Sequence, residues 1–442
     1  MKQVAILTDF TSLDPSYSLC IVAADQTKML LRNGYGPLFI ACEGFQPAGP
    51  IQPDEVRLAH IPNYTRSNYI ELDSTFQDDV AKLTSKLKEL LVDIDIVLTH
   101  DLIYQPAALK LNFAARNIAD EQPQLHWLHW VHSATPPAVL SSSIGYLDKV
   151  KTRFPNSMVV YPNNYELPRI ARNFGYEIDE VTCVYHPIDV CGYLGFQSIT
   201  SKLVDTYRIL EADAIGVYPI RLDRGKQAEF CIRVFAQLKR RGCQVCLVIV
   251  DFHSTGGDKV VYRRELKQLG IDQGLNESEL IFTSEFDKSL ELECPREMVR
   301  DLMLLCNVYI HPSVSETYSL TTQEAALCGA FLVLNSDFPA MRSIYGPDAL
   351  YTGFSSGTHT VGYFWEKDTK RTYGAVADQP GVGLIPQKMT GVDAFAYDIA
   401  GRIAYELSHN LVLAQQRKIR QTRNLDFIFK HQLEPLFHRW EK

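Results

Sequence analysis

The first half of the chain alternates short, almost wholly apolar runs with segments whose apolar residues recur every three or four positions. Such runs predict strands buried on both faces, and the segments between them predict amphipathic helices. This alternation indicates a parallel sheet covered by helices, with functional residues at the carboxyl ends of the strands. The predicted strands span 4–7, 37–42, 94–99, 125–131 and 158–161, and the predicted helices span 19–33, 76–91 and 109–118.

The second half repeats this alternation. The stretch 353–389 is rich in glycine and aromatic residues without a clear period, which is typical of an insertion. A helix at 393–410 and a final segment at 411–440 follow it. The α/β pattern on both sides of the middle predicts two Rossmann-like parallel-sheet domains. The strands predicted for this half span 215–218, 245–250, 280–282, 308–310 and 331–334.

The length of the chain fits two domains, and its pattern of apolar residues predicts the cellular compartment of the protein. The chain has 442 residues, too many for one typical hydrophobic core. No apolar stretch approaches the ~18 residues that span a bilayer. The first residues predict a strand rather than a signal peptide, so we expect a cytoplasmic protein without a transmembrane segment.

The cysteines agree with that compartment. Ten of them are scattered, mostly through predicted strands and helices, as is typical of a reducing environment. Cys243 and Cys246 form one C-x-x-C, but they lie in a predicted strand and no second metal-binding pair accompanies them. This favours a structural role over zinc binding.

Two glutamates eight residues apart, Glu316 and Glu324, give the strongest indication of chemistry. The sequence predicts a strand at 308–310, a loop at 311–315 and a helix at 317–327 that ends at Gly329. Free amides at a helix N-terminus attract phosphate, and two carboxylates along one face can accept hydrogen bonds from sugar hydroxyl groups. A capping carboxylate followed by an ordinary surface carboxylate would show the same spacing.

A cationic loop lies upstream of these glutamates. A predicted strand at 214–220 leads into Arg221-Leu-Asp-Arg-Gly-Lys226 and then into an amphipathic helix at 227–240. The loop contains a glycine and two cations, Arg221 and Lys226, which suit it to closing on a diphosphate. A charged loop before a helix is also common as a merely solvated segment.

The two segments together resemble family 4 of the retaining glycosyltransferases, which have the GT-B fold. The stretch around the glutamates is similar to the Glu-x7-Glu motif of that family, and the resemblance extends to Pro312, Ser313 and Gly329. It implies that Glu316 contacts the transferred sugar and that Glu324 holds the ribose of the donor nucleotide.

The resemblance also implies how the donor diphosphate is bound. Arg221 and Lys226 are similar to the family's Arg…Lys pair, which grips the pyrophosphate. These cations and the amides of the following helix would stabilise the departing diphosphate without a metal. We therefore expect a metal-independent enzyme that needs no cofactor and uses a nucleotide-sugar donor, with UDP as the favoured nucleotide. The donor contacts implied at the start of the helix are Thr317, Tyr318, Ser319 and Leu320.

A metal-dependent alternative would need an Asp-x-Asp at the carboxyl end of a strand. The early candidate, Asp93-Ile-Asp95, precedes a predicted strand and therefore lies at the opposite edge of the sheet.

Polar residues end several predicted strands of the first half. The segment 127–133 resembles the family's strand that ends in a histidine facing the sugar and the reacting centre, which implies that role for His132. His126 and His129 share the segment, and any of the three is also compatible with a core histidine. Three further strand-end residues are candidate contacts for the acceptor or the sugar: Asp9, His100 and Asp101.

The loop after the first strand departs from the family pattern. The family usually has a Gly-Gly turn that approaches the donor phosphates, whereas residues 11–18 contain no glycine. Either the hydroxyl groups of Ser16 and Ser18 replace the bare backbone, or the acceptor side is remodelled. Residues 253–257, His-Ser-Thr-Gly-Gly, correspond to a turn near the nucleotide in the family, and a plain turn is the alternative there.

The resemblance implies a division into two domains that face a central cleft. Residues 1–195 would bind the acceptor and would include a last strand at 183–189, and residues 196–423 would bind the donor. Residues 190–200 would form the linker. In GT-B enzymes the last helix crosses back to the first domain, which we expect of residues 424–442.

The acceptor is the least determined part of the prediction. A saccharide or a small molecule with a hydroxyl group is the default expectation. A hydroxymethylated base in DNA is an alternative, and its phosphates would need a basic strip. Residues 1–190 carry 15 Lys and Arg against 22 Asp and Glu, a net charge of −7, which argues against duplex binding. The basic residues available for such a strip are Arg57, Arg66, Lys149, Lys151 and Arg153.

A non-catalytic GT-B scaffold that binds a nucleotide or a partner protein is a further alternative. The presence of a full set of donor-binding residues argues against it, since a scaffold would be free to lose them. That set is Arg221, Lys226, Glu316 and Glu324.

Overall fold

The structure is a computed structural model, and its contacts divide the chain into two compact units. The first unit comprises Met1–Asp189 and Thr422–Lys442, and the second comprises Val190–Gln421. Each unit has its own sheet and its own apolar core. The structure describes residues 2–49, 51–52, 54–65, 73–133, 150, 152–252, 257–313, 316, 318–336, 339–353, 363–366, 371–374 and 392–441.

The first unit is built on a seven-stranded sheet. Its strands are β1 (Val4–Leu7), β2 (Leu38–Cys42), β3 (Arg57–Ile61), β4 (Ile96–His100), β5 (His126–Trp130), β6 (Ser157–Tyr161) and β7 (Val181–Cys183). Their order is β3-β2-β1-β4-β5-β6-β7, and every pairing is parallel. The helices between them are α1 (Ser18–Arg32), α2 (Phe76–Leu90), α3 (Leu109–Glu121) and α4 (Leu167–Phe174).

Both faces of this sheet are buried, as the apolar runs predict. Along β1, Ala5 and Leu7 join one apolar cluster, whereas Val4 and Ile6 join another. A parallel sheet with helices on both faces needs this arrangement. The strand β3 was not predicted, because as an edge strand it is partly exposed and its sequence, Arg-Leu-Ala-His-Ile, is mixed.

The second unit repeats the architecture with a six-stranded sheet. Its strands are β8 (Ala214–Ile220), β9 (Val245–Asp251), β10 (Leu280–Phe282), β11 (Val308–His311), β12 (Phe331–Asn335) and β13 (Leu350–Thr352). Their order is β10-β9-β8-β11-β12-β13, again with parallel pairings. Two parallel α/β sheets confirm the predicted fold class.

Within the described part of the second unit, ten α-helices and several shorter turns accompany its sheet. The helices are α5 (Val190–Tyr193), α6 (Ser198–Thr206), α7 (Ala228–Arg240), α8 (Gly257–Asp272), α9 (Thr283–Phe286), α10 (Arg296–Leu305), α11 (Leu320–Leu327), α12 (Pro339–Tyr345), α13 (Val392–His409) and α14 (Leu411–Thr422). The short 3-10 helices of the described residues in both units are Pro106–Ala108, Ile178–Glu180, Ile209–Glu211, Arg224–Lys226, Lys288–Leu290 and Arg439–Glu441.

One antiparallel hairpin lies within the predicted insertion. It consists of β14 (Tyr363–Glu366) and β15 (Arg371–Gly374). The remainder of 354–391 lies outside the described residues.

The C-terminal segment packs against the first unit. It contains α15 (Leu425–Ile428), a π-helical turn (Phe429–Leu433) and α16 (Glu434–His438). The side chains of Leu425, Phe429 and Phe437 join the apolar cluster that also contains Val4 and Ile6 of β1. Asn424 caps α15 by accepting a hydrogen bond of 2.9 Å from the Phe427 amide. This segment therefore supplies part of the first unit's core.

Two local predictions, the last strand of the first sheet and the start of the helix after β11, are wrong in their bounds. The last strand of the first sheet is Val181–Cys183 rather than 183–189, because the Tyr185 amide bonds the Gln432 side chain at 2.8 Å and the Ile188 amide bonds the Arg423 carbonyl at 2.8 Å. The predicted linker 190–200 contains α5 and the start of α6. The buried carboxylate of Asp301 stabilises the start of α6, because it accepts a hydrogen bond from the backbone amide of Gln197. The helix predicted from residue 317 begins at Leu320.

All ten cysteines are free thiols. Among the described residues, no helix is both long enough and apolar enough to cross a membrane.

Candidate functional site

Lys226 and Glu316 meet at the carboxyl edge of the second sheet. The strands β8 and β11 are neighbours, so the loops that follow them lie side by side although the two residues are 90 positions apart. The Lys226 ammonium donates a hydrogen bond to Glu316 Oε1. The two side chains are 23% and 18% exposed, which strengthens their attraction relative to a pair in open water. The sheet thus joins one residue from each predicted motif.

His311, the last residue of β11, adjoins this ion pair. Its Nε2 lies 3.7 Å from Glu316 Oε1, which is too long for a hydrogen bond, and has no other hydrogen-bond partner within the described part of the chain. Burial, and after it the charge of Lys226, lowers the pKa of His311 to about 3, so the ring is neutral. A neutral imidazole nitrogen next to a cation and a carboxylate is suited to a polar ligand. His311 was not predicted as a site residue, because its position at a strand end is its only signal in the sequence.

Gln227 is a second residue that the sequence analysis missed. It precedes α7 with a φ of 49°, in the left-handed region, and the residue is 2% exposed. Both amide atoms lack a hydrogen-bond partner among the described residues. A buried polar group without a partner costs ~1–3 kcal/mol. This amide, next to Lys226 in sequence, is therefore a candidate to bind water or a ligand.

Arg221, the first residue after β8, points elsewhere. Its side chain is 61% exposed, and its Nε lies 3.7 Å from Asp223 Oδ2. The structure therefore brings Lys226, but not Arg221, to Glu316. Surface ion pairs of this kind are worth ~0–1 kcal/mol, so the guanidinium can leave Asp223 for a ligand at little cost.

The N-terminus of α11 is shaped by Ser319. This residue has a φ of 66°, and its hydroxyl group accepts a hydrogen bond of 3.4 Å from the Thr322 amide. A second contact fixes the turn, because the Tyr345 hydroxyl donates to the Ser319 carbonyl at 3.1 Å. Of the other predicted donor contacts, Tyr318 and Leu320 are exposed, and Thr317 lies outside the described residues.

Glu324 lies in the middle of α11. Its side chain is one-third exposed, and Oε1 lies 3.4 Å from Nη2 of Arg296, a highly exposed residue of α10. Within the part of the chain that the structure describes, the carboxylate therefore has a weak, solvent-accessible partner. It is placed to exchange that partner for a ligand hydroxyl group.

Three histidines cluster at the carboxyl edge of the first sheet. His100 ends β4, His132 follows β5, and His186 follows β7. The His100 Nδ1 and His132 Nε2 atoms are 3.0 Å apart, and the His132 and His186 rings stack with centroids 5.0 Å apart. Burial lowers the pKa of His132 and of His186 to about 4 and that of His100 well below its ordinary value. The rings are therefore neutral near pH 7. His186 was not predicted as a site residue, because it is far from His100 and His132 in the sequence.

Two carboxylates accompany the histidines. Asp101 adopts a φ of 53° and accepts a hydrogen bond of 2.8 Å from the His132 amide, which fixes the backbone of that histidine. Burial raises the pKa of Asp101 and also that of Asp9, and the charge of Asp101 raises the pKa of Asp9 further. Both carboxylates also raise the pKa of Tyr17, after burial as the main cause. This places Asp9, Asp101 and Tyr17 in one neighbourhood.

The two serines of the glycine-free loop differ in their contacts. The Ser16 hydroxyl donates to Asp14 Oδ1 at 2.6 Å, an exposed local contact. Ser18 is exposed and is the first residue of α1. Neither observation assigns a ligand to these hydroxyl groups.

The other two histidines of β5 are packed in the first unit. His129 is buried, and its Nδ1 lies 2.7 Å from the Thr99 hydroxyl. The His126 ring stacks on Trp440 with centroids 4.5 Å apart. Of the three alternatives that the sequence offered, only His132 therefore lies in the cluster with His100 and His186.

Two residues of the basic strip considered for DNA, Arg57 and Arg153, lie within the described residues. Arg153 is paired with Glu180, and its guanidinium lies over the Tyr176 ring. Arg57 donates to the Gln3 side chain at 3.3 Å. Lys149, Lys151 and Arg66 lie outside the described residues.

Among the described residues, no group of three or more His, Cys, Asp or Glu side chains is arranged to hold a metal ion. Asp95 precedes β4, and its carboxylate accepts a hydrogen bond of 2.6 Å from the backbone amide of Gln3. Residues 253–256 of the predicted nucleotide turn lie outside the described residues, and Gly257 begins α8.

Comparisons with known proteins find similar structures at low identity. No protein-family model matches the sequence, and no curated protein matches it. Similar solved structures include HepE of Anabaena in complex with UDP and glucose, with 16% identity and a TM-score of 0.33 over 99% of this chain and 100% of that chain. A glycosyltransferase of Rickettsia africae has 13% identity and a TM-score of 0.35, and the match covers 100% of this chain and 98% of that chain. Sucrose-phosphate synthase of Thermosynechococcus elongatus has 15% sequence identity and a TM-score of 0.33, and the match covers 99% of both chains. These values do not by themselves assign an activity.

Proposed function

We propose that this protein is a retaining glycosyltransferase that transfers a sugar from a nucleotide-diphosphate-sugar donor, with UDP as the favoured nucleotide, to a hydroxyl acceptor without a metal ion. The observation that carries the proposal is the meeting of Lys226 and Glu316 beside the neutral ring of His311 at one edge of a parallel sheet. Ligands of α/β proteins bind at this edge. The retaining outcome rests on the resemblance to family 4.

The site offers both kinds of group that a nucleotide-diphosphate sugar requires. Lys226 supplies positive charge for the diphosphate, and the exposed guanidinium of Arg221 is a second source of positive charge. Glu316 and Glu324 supply acceptors for hydroxyl groups of the sugar and the ribose. The buried amide of Gln227 supplies a further donor and acceptor next to Lys226.

The reaction breaks the bond between the anomeric carbon and the diphosphate oxygen and forms a bond from that carbon to the acceptor oxygen. The proton of the acceptor hydroxyl leaves with the nucleoside diphosphate. Negative charge grows on the diphosphate as its bond breaks, so a fixed ammonium at that position lowers the barrier. In this proposal Lys226 does so, and Glu316 holds the sugar.

The deciding experiment measures nucleotide release from a panel of sugar nucleotides in the presence of EDTA. We expect a UDP-sugar to be consumed with EDTA present, since the charge of Lys226 replaces that of a metal. Proton NMR of the product should show that the anomeric configuration of the donor is kept. Reactions without acceptor separate hydrolysis from transfer.

Two results would count against the proposal. Activity that disappears with EDTA and returns with manganese would contradict the metal-independent mechanism. Calorimetric binding of a sugar nucleotide without hydrolysis or transfer to any acceptor would favour a non-catalytic scaffold.

Replacement of Glu324 by alanine should weaken donor binding about 10- to 100-fold, because a hydrogen bond to a charged group contributes ~1.5–3 kcal/mol. Titration calorimetry with UDP measures this change. The matched control is Arg296→Ala, which removes the same exposed ion pair but leaves the carboxylate in place. Equal UDP affinity in wild type and Glu324→Ala would reject the placement of the ribose at Glu324.

A further inference from the structure

His100 links a buried glutamine to His132 through both of its ring nitrogens. Its Nε2 lies 3.1 Å from Oε1 of Gln26, a residue of α1, and its Nδ1 lies 3.0 Å from His132 Nε2. Gln26 and His100 are both buried. The three side chains therefore form a continuous chain of hydrogen bonds within the first unit.

The chemistry of the three groups determines where each proton lies. An amide oxygen only accepts hydrogen bonds, so His100 Nε2 must carry a proton. A neutral imidazole has one N–H, which makes His100 Nδ1 an acceptor and His132 Nε2 a donor. Burial keeps both rings neutral, since it lowers their pKa values. His132 is then left with its lone pair on Nδ1.

We propose that Gln26 is a positioning residue that fixes the tautomer of His132 through His100, so that His132 presents Nδ1 as a hydrogen-bond acceptor to a ligand hydroxyl group. The identity of that hydroxyl as part of a sugar or acceptor rests on the proposed function. A ring held in this tautomer selects a ligand group that donates a hydrogen bond and disfavours one that only accepts.

Other contacts hold the His132 ring but do not decide its tautomer. Asp101 bonds the backbone amide of His132, and the His186 ring stacks against the His132 ring with centroids 5.0 Å apart. Stacking fixes the plane of a ring without fixing its proton. The orientation of the Gln26 amide, with its oxygen toward His100, therefore sets the direction of this chain of hydrogen bonds.

The test is long-range proton–nitrogen NMR of the full chain labelled with 15N-histidine near pH 7, with signals assigned from His100→Asn and His132→Asn. We expect His132 to be protonated at Nε2 and unprotonated at Nδ1. In Gln26→Leu, which keeps the volume but removes the acceptor, His132 should show a mixture of tautomers. The matched control is Thr27→Val, which changes a buried neighbour on α1 whose hydroxyl bonds the Ala23 carbonyl at 2.8 Å.

A wild-type His132 protonated at Nδ1 would overturn the inference, and this is the result expected if the Gln26 amide were oriented the other way. An unchanged tautomer in Gln26→Leu would overturn it as well. If that variant does not fold, the wild-type spectrum still tests the inference, because protonation of His132 at Nδ1 would contradict it. None of these readouts needs enzymatic activity, so they fail or succeed separately from the proposed glycosyl transfer.

A kinetic measurement tests the contact with the ligand. Gln26→Leu should lower kcat/KM for nucleotide release ~3- to 10-fold, the loss of about one neutral hydrogen bond, while UDP affinity stays unchanged. Thr27→Val should match wild type. A mixed tautomer with an unchanged kcat/KM would show that His132 does not contact a ligand hydroxyl through Nδ1.

Discussion

Replacement of Lys226 by methionine is expected to reduce the rate of nucleotide release ~10²- to 10³-fold, the usual effect of removing one group that stabilises developing negative charge. Methionine keeps an apolar stem of similar length and removes the ammonium. The loss should appear mainly in kcat, because the charge on the diphosphate is greatest as its bond to the sugar breaks. Steady-state kinetics with a UDP-sugar in EDTA measures it.

The matched control for this variant is Lys202→Met, which removes an exposed ammonium 3.9 Å from Asp287 on the same unit. It should retain the wild-type rate. Thermal unfolding of Lys226→Met distinguishes lost catalysis from lost folding, since Glu316 loses its partner in that variant. A folded Lys226→Met protein with the wild-type kcat would disprove the role of Lys226 at the leaving diphosphate.

Replacement of Phe429 by alanine should destabilise the first unit by ~3–5 kcal/mol, the usual cost of removing a buried aromatic side chain. Phe429 lies in the C-terminal segment and is buried in a cluster with strands of the first sheet. The free energy of unfolding of a domain is only ~5–15 kcal/mol, so this change removes a large part of the stability of the first unit. Urea unfolding followed by tryptophan fluorescence reports on this unit, because three of the four tryptophans, Trp127, Trp130 and Trp440, belong to it.

The control is Phe427→Ala, two residues earlier and only partly buried, which should cost about 1 kcal/mol. Calorimetric binding of UDP below the unfolding transition should be the same in both variants, since donor binding is proposed for the second unit. Equal destabilisation by the two changes would contradict the view that the C-terminal segment is part of the first unit's core.

The sequence predicted the two sheets because their strands are apolar enough to be recognised without any tertiary information. Residues 4–7 and 214–220 are apolar on both faces, and only a strand covered on both sides accounts for that pattern. Mixed edge strands such as β3 and β13 lacked the pattern and were missed, since exposure on one side permits polar residues.

Candidate residues at strand ends could be chosen from the sequence for a related reason. In a parallel sheet all carboxyl ends meet at one edge, so His100, His132 and Glu316 were placed correctly at those edges by their positions after strands. The resemblance to family 4 added roles for Glu316, Glu324 and Lys226 that spacing alone does not supply. Those roles stay predictions.

The start of α11 shows where local sequence reasoning fails. The pattern permitted a helix from residue 317, but Ser319 adopts a positive φ and caps the helix that begins at Leu320. Its conformation is held by the Tyr345 hydroxyl, 26 positions away. A contact between residues so far apart in the sequence has no signal in a single sequence.

By itself, the sequence determined the fold class and the strand ends at which chemistry is possible, because apolar periodicity depends on neighbours in the chain. The tertiary structure alone decided which of those residues meet. The order of strands in the second sheet brings Lys226 to Glu316 and leaves Arg221 with Asp223. In the first unit, packing of α1 on the sheet brings Gln26 to His100. Hydrogen bonds and ion pairs act over a few ångströms in space, and their partners can lie anywhere in the chain.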